Sequence, residues 1–215
     1  MNSSRLPGKI LMKAGSKSIL DHIFFRLTFL KHEVKVVLAT TVSPADNIVE
    51  EYCRKKNISC FRGSEANVLE RYYLCAKQYE FQNIIRLTGD NPFIDVEEID
   101  NLMDFYFSEK VDYANSFNSL PVGAGAEIFS FAALEKNYKE GKLSHHVEHV
   151  NEYMIEHPEL FKTKPFSVTP SKNRTDIRLT VDTPYDYRKA CFIAESSKNE
   201  FITTEEAIQL CSRFA

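Results

Sequence analysis

The chain reads as an α/β protein with a doubly wound, mostly parallel sheet and helices on both faces. Three observations predict this. Between residues 34 and 108, short apolar runs alternate with helical periodicities three times, which is the signature of strand–helix–strand units. The run Val36-Val37-Leu38-Ala39 is apolar without alternation, as strands buried on both faces are. A third sign is an eight-residue echo, Ile85-Arg86-Leu87-Thr88-Gly89-Asp90-Asn91-Pro92 against Ile177-Arg178-Leu179-Thr180-Val181-Asp182-Thr183-Pro184. Each copy is a β-like run that stops at an aspartate, with a proline two residues later to turn the backbone away.

Taken in order, residues 1–9 form a loop of hydroxyls, a Pro-Gly turn and two cations. Ile19, Leu20, Ile23, Phe24 and Leu27 recur at helical spacing and predict a helix over 18–31 with Ser18 as its cap. A strand over 34–40, a polar helix over 44–56 and a second strand over 58–61 follow. Arg62-Gly63-Ser64-Glu65 turns the chain into a helix over 66–79, before a strand over 83–88 and a helix over 96–108. Residues 115–130, with Pro121, Gly123 and Gly125, predict an irregular loop running into the β-like Glu127-Ile128-Phe129. A helix over 143–156 carries three of the six histidines. An extended stretch over 161–167, a turn over 170–174, a strand over 177–181 and helices over 184–197 and 204–212 complete the chain.

Composition bounds the function. At 215 residues the chain is expected to be a single domain, 1–215, with 115–167 as an insertion within it. A net charge of −3 gives no basic surface for nucleic acid. No apolar run spans a bilayer, so no membrane partner is expected. The five cysteines are odd in number, scattered and without a C-x-x-C pair. That fits reduced thiols and a cytoplasmic location.

In open α/β sheets ligands gather outside the carboxyl ends of strands, where both echo aspartates stand. Asp90 and Asp182 either share one hard divalent cation, Mg²⁺ being commonly held by one or two carboxylates plus substrate phosphates, or each caps the helix that follows. Arg5 and Lys9 flank the Pro7-Gly8 turn. They are either two solvated cations or a pair facing one polyphosphate, Arg as a bidentate donor and Lys as a point charge.

Ser3-Ser4-Arg5-Leu6-Pro7-Gly8-Lys9 resembles the nucleotide loop of sugar-activating cytidylyltransferases, a group that includes the CMP-acylneuraminate and CMP-deoxyoctulosonate synthetases and above all the spore-coat polysaccharide enzymes. The likeness continues through Arg62-Gly63-Ser64-Glu65, Val68-Leu69-Glu70-Arg71-Tyr72, Arg86-Leu87-Thr88-Gly89-Asp90, Glu148-His149-Val150 and Leu179-Thr180-Val181-Asp182-Thr183-Pro184. The resemblance implies a nucleotidyltransferase fold and Mg²⁺-dependent transfer of CMP from CTP to a small anionic sugar acceptor, with release of pyrophosphate. It implies Arg5, Lys9, Asp90 and Asp182 as catalytic residues, the two aspartates holding the metal. Nucleotide contacts fall to Ser3, Ser4, Gly8, Arg62, Ser64, Arg71 and Thr88, and the acceptor pocket to Glu127, Glu148 and His149. A homodimer is also implied. Glu127 is in addition a possible general base, or else an exposed strand carboxylate. Two departures stand out: the resemblance implies an apolar strand and another Arg before the loop, as though Met1 were internal, and an Arg where Val147 stands.

Two other readings compete. His145-His146-Val147-Glu148-His149 satisfies H-x-x-E-H, which on a continuous helix sets His145 and His149 on one face for zinc, with Glu148 as base. The fold could also serve as a nucleotide-binding module without turnover.

Overall fold

The structure is a computed structural model and describes residues 5–214. A 3-10 turn at Lys9–Leu11 leads into a small antiparallel hairpin, β1 (Lys13–Ala14) and β2 (Lys17–Ser18). Helix α1 (Ile19–Leu27) starts at Ser18, whose hydroxyl accepts from the Asp21 N–H while the Asp21 carboxylate accepts from the Ser18 N–H. This reciprocal pairing satisfies two otherwise orphan donors of the first turn. Then come β3 (Val37–Thr41), α2 (Asn47–Lys56), β4 (Ser59–Gly63), α3 (Val68–Gln78), β5 (Asn83–Arg86) and α4 (Val96–Glu109). Asn67 and Asp95 cap α3 and α4 through their side chains. The second half holds β6 (Tyr113–Asn115), β7 (Glu127–Ser130), α5 (Phe131–Glu140), α6 (Ser144–Glu148), α7 (Glu152–Glu156), α8 (Pro184–Ser196) and α9 (Thr204–Cys211).

Strands β3 and β4 pair in parallel, with Val37 opposite Ser59 and Thr41 opposite Gly63. The remaining long strands form the order β5-β7-β6, and both pairings there are antiparallel. Between β3 and β5 lies a cavity of about 650 Å³. Strand residues Leu38 and Ile85 line it, with Ile23 and Phe24 of α1 and Tyr72 and Cys75 of α3. The apolar interior forms three clusters: α8 and α9 around Phe93 and Leu179, α1 and α4 around Ile94 and Ile128, and α3, α5 and α7 around Phe129 and Leu134.

The structure corrects three expected elements. The helix expected over 143–156 is two short ones, because His149 leaves α6 in an extended conformation (φ −115°, ψ 108°); the valines and Asn151 nearby give little intrinsic drive to continue it. The strand expected over 177–181 is a single parallel bridge between Val122 and Arg178. Its backbone bonds go to the loop before β7 and to Asp90 instead of a ladder. The stretch 161–167 likewise makes one bridge, Tyr113 to Thr163. The β-like Glu127-Ile128-Phe129 forms β7 as expected, and the irregular loop lies between it and β6, which ends at Asn115. No element is expected from sequence at the β1–β2 hairpin or at α5, although Ala133, Leu134 and Asn137 of α5 share one buried face.

Among the described residues no helix is long and apolar enough to cross a membrane.

Candidate active site

The two echo segments meet at their ends. The N–H of Val181 donates to the carbonyl of Asp90 over 2.9 Å. Upstream, Val122 donates to Ile177 O (2.8 Å) and its carbonyl accepts from Leu179 N–H (2.7 Å) and Thr180 N–H (3.1 Å). The chain passes this closely because Gly123 has φ +94° and no side chain; a Cβ there would lie 2.5 Å from the Thr180 nitrogen.

Neither aspartate caps a helix. Asp95 caps α4, and Thr183 caps α8 in a reciprocal pair with Asp186. Both carboxylates are thereby free of the helix-capping role that competes with metal binding, and both turn to Lys9. Its Nζ lies 2.7 Å from Asp90 Oδ2 and 2.7 Å from Asp182 Oδ1. Gly8 makes this approach possible: its left-handed backbone (φ 71°) starts the 3-10 turn that carries Lys9 inward. Arg5 Nη2 stands 3.8 Å from Asp182 Oδ1 with its side chain mostly in solvent. Arg178 donates to Asp182 Oδ2 from the other side and reaches Asp186 Oδ1 at 3.4 Å.

Burial alone would lower the Lys9 ammonium's pKa, but its bonds to Asp182 and Asp90 outweigh that and raise it. For Asp182 burial pushes upward, and the Lys9 bond with the Arg178 and Arg5 charges brings the net shift below the usual carboxylate value. Lys9 is largely buried, with a side chain 12% exposed, so its charge acts through a poorly screened medium.

An ammonium held between two carboxylates marks a position for positive charge. The donor set is hard oxygen only, the set Mg²⁺ takes, and N···O separations of 2.7 Å need to close by about 0.6 Å to reach metal–oxygen lengths of about 2.1 Å. Asp90 and Asp182 therefore fit the ion, with Lys9 as its competitor.

Ser3 and Ser4 lie outside the described residues. Arg62, at the end of β4, spends its guanidinium on its own neighbourhood: Nε on Thr41 O (2.9 Å), Nη1 on Asn47 and Glu50 (2.7 Å each) and Nη2 on Ser43 O (2.7 Å). Ser64 Oγ accepts from Asn67 N–H at 3.0 Å. Arg71 donates from Nη1 to Ser64 O, while its buried Nε has no hydrogen-bond partner among the described residues. Thr88 Oγ1 accepts from Asn91 Nδ2 at 2.7 Å. Arg71 and Thr88 both line the cavity beside β3 and β5.

Glu127 is fully buried, at 0% exposure, which removes the reading of it as an exposed strand carboxylate. Arg86 donates to its Oε1, and Tyr113 OH donates to Oε2 at 2.8 Å. Glu148 and His149 are both exposed. The H-x-x-E-H pattern does not assemble, because α6 stops at Glu148 and His145 turns to Glu156 instead.

Sequence reasoning missed Arg178, Asp186 and Tyr113. Arg178 had a signal: the arginine in the second position of each echo makes an ion pair, Arg86 with Glu127 and Arg178 with Asp182.

Comparison with known proteins places this geometry in context. The family model described as cytidylyltransferase matches residues 1–211. The chain is 34% identical over 229 residues to the spore coat polysaccharide biosynthesis protein SpsF of Bacillus subtilis, covering 99% of this chain and 91% of that one. It is 38% identical over 186 residues to the uncharacterized protein MJ1063 of Methanocaldococcus jannaschii, covering 86% and 76%. A cytidylyltransferase structure from Leptospira borgpetersenii superposes with a TM-score of 0.91 at 31% identity, over 99% of this chain and 90% of that one.

Proposed function

This chain belongs to the cytidylyltransferase family, and on that premise we propose that it transfers CMP from CTP to a small anionic sugar acceptor with the help of Mg²⁺ held by Asp90 and Asp182. The family activity makes it a nucleotidyltransferase that moves CMP from CTP to a sugar-like acceptor. The observation that carries the finer reading is the Lys9 ammonium between the two aspartates, 2.7 Å from each.

In this reaction an acceptor hydroxyl oxygen attacks the α-phosphorus and gives its proton to water, the bond to the α–β bridging oxygen breaks, and pyrophosphate leaves. Positioning and charge stabilisation supply most of the catalysis in such transfers. Arg5, exposed, and Lys9, largely buried, offer cations to the triphosphate. When the phosphates arrive, Lys9 gives up both carboxylate bonds for phosphate oxygens, which frees both aspartates. Bound Mg²⁺ supplies Lewis-acid polarisation of phosphate and acceptor oxygens. Glu127 has both oxygens occupied by Arg86 and Tyr113; it suits the positioning of Tyr113 better than proton abstraction. The name of the Bacillus subtilis relative supports a role in polysaccharide biosynthesis. Exposed Phe117, Leu143, Ile155 and Leu160, all in the 115–167 segment, support a homodimer, for which light scattering would give twice 24.8 kDa.

The test is pyrophosphate release from CTP, with Mg²⁺ and a panel of sugar acids, sugar phosphates and neutral sugars. Asp90→Asn and Asp182→Asn should each lower turnover by at least about 10²-fold, consistent with loss of several kcal/mol of charge stabilisation. Normal turnover in either variant refutes the metal assignment. Turnover with neutral sugars alone refutes the anionic acceptor.

A further inference from the structure

A second cluster of ligating groups lies outside this site. The turn between α6 and α7 folds Glu156 back over the start of α6. His145 Nε2 then lies 2.8 Å from Glu156 Oε1, and His146 Nε2 2.6 Å from Oε2. The three ligand atoms all fall within 4.8 Å of one another. The two imidazoles stand edge to face, with centroids 4.2 Å apart.

We propose that His145, His146 and Glu156 form a binding site for a borderline divalent transition metal of the zinc class. Two imidazole nitrogens and one carboxylate oxygen make a three-ligand set for tetrahedral zinc, with the fourth position left to water. The chemistry separates it from the aspartate pair, whose all-oxygen donors suit a hard ion.

One ligand is pre-oriented. His146 is 3% exposed and packs against the Tyr153 ring at 5.3 Å between centroids. His145 and Glu156 are half-exposed and give the ion an entry path. Contacts of 2.6–2.8 Å must open to the ligand–ligand spacing of about 3.4 Å that follows from metal bonds near 2.1 Å in a tetrahedron. Ligation leaves each ring's remaining proton on Nδ1. For His146 this ends the long 3.3 Å contact from the Leu143 N–H, which sits before the first turn of α6 on an exposed residue and passes to water. The metal would pin α7 to α6 across the break that His149 introduces.

The experiment is titration of the whole, EDTA-stripped protein with Zn²⁺ and with Co²⁺, without nucleotide. One saturating equivalent is expected, and the Co²⁺ form should show visible d–d bands without a thiolate charge-transfer band. His146→Gln and Glu156→Gln should each weaken binding at least tenfold. His145→Ala, at a half-exposed position, reads the same site should His146→Gln fail to fold. His149→Ala and Asp182→Asn should bind as the wild type does, so the outcome is independent of the nucleotide site. No saturable binding, unchanged affinity in the Glu156 variant, or a thiolate band assigning the metal to cysteines would each overturn the proposal.

Discussion

The N–H of Val181 donates to the carbonyl of Asp90 over 2.9 Å, and through that one bond each echo fixes the height of the other's carboxylate. Asp182 follows Val181 directly, so its Oδ1 and Asp90 Oδ2 both come to 2.7 Å from the same ammonium. The echo is thus two copies of one local solution meeting at a shared charge.

On the proposed reading, Lys9 and a metal compete for the same oxygens. Lys9→Met should therefore tighten Mg²⁺ binding to the nucleotide-free protein, read by calorimetry, while lowering turnover with CTP. An unchanged Mg²⁺ affinity would mean that Lys9 and the ion do not share a place.

Gly123→Ala tests the close pass beneath the site. The new Cβ would sit 2.5 Å from the Thr180 nitrogen at φ +94°, and a residue held in that backbone region costs about 1–3 kcal/mol. The urea midpoint should fall accordingly. Because Thr180 lies two residues before Asp182, a displacement near 1 Å should also lower kcat by about 10²-fold. Loss of stability without loss of kcat would show that the pass does not position the aspartate.

The pH dependence of the Lys9–Asp182 pair has a definite sign at each end. Asp182 is lowered in the folded state, so its contribution is present above the unfolded carboxylate value of about 3.9 and is lost as pH falls through the folded one. Lys9 is raised, so its contribution is present below about 10.4 and is lost as pH rises through the folded value. The urea-midpoint difference between wild type and Lys9→Met should peak near neutrality and shrink at both extremes. A difference that grows toward acid contradicts it.

Lys172 is a second buried cation with a structural task. At 3% exposure it lies 3.0 Å from Asp95, 2.7 Å from Glu97 and 3.5 Å from Glu98. These bonds outweigh burial and raise its pKa. Lys172→Met strands the buried Asp95 and Glu98 carboxylates, and breaking such a cluster costs about 3–5 kcal/mol. Denaturation should show it, with the CTP KM little changed in the folded fraction.

Much of this was legible from local chemistry. The spacing of Ile19, Leu20, Ile23, Phe24 and Leu27 marks α1, and Ser18 caps it as expected. The two Asp-ended runs and the Pro-Gly turn point to Asp90, Asp182 and Lys9 as candidates, and the structure brings the three together. What was not legible depends on distant partners. Glu127 sits beside a glycine-containing loop, and only the fold supplies Arg86 and Tyr113 to bury it. The helix over 143–156 has adequate periodicity, yet it breaks at His149, where Val150 at 0% exposure is drawn into the core. The strand at 177–181 has the right composition, but its hydrogen bonds go to a loop.

The cavity between β3 and β5 has a bearing on solubility. Each strand has one ladder partner among the described residues, β4 for β3 and β7 for β5, and the cavity lies between their other edges, walled by apolar side chains. Unpaired strand edges template β-pairing with any extended chain that reaches them. In a concentrated solution the nearest such chain belongs to another copy, so any association of copies by strand pairing would begin at these two edges and not on the charged exterior.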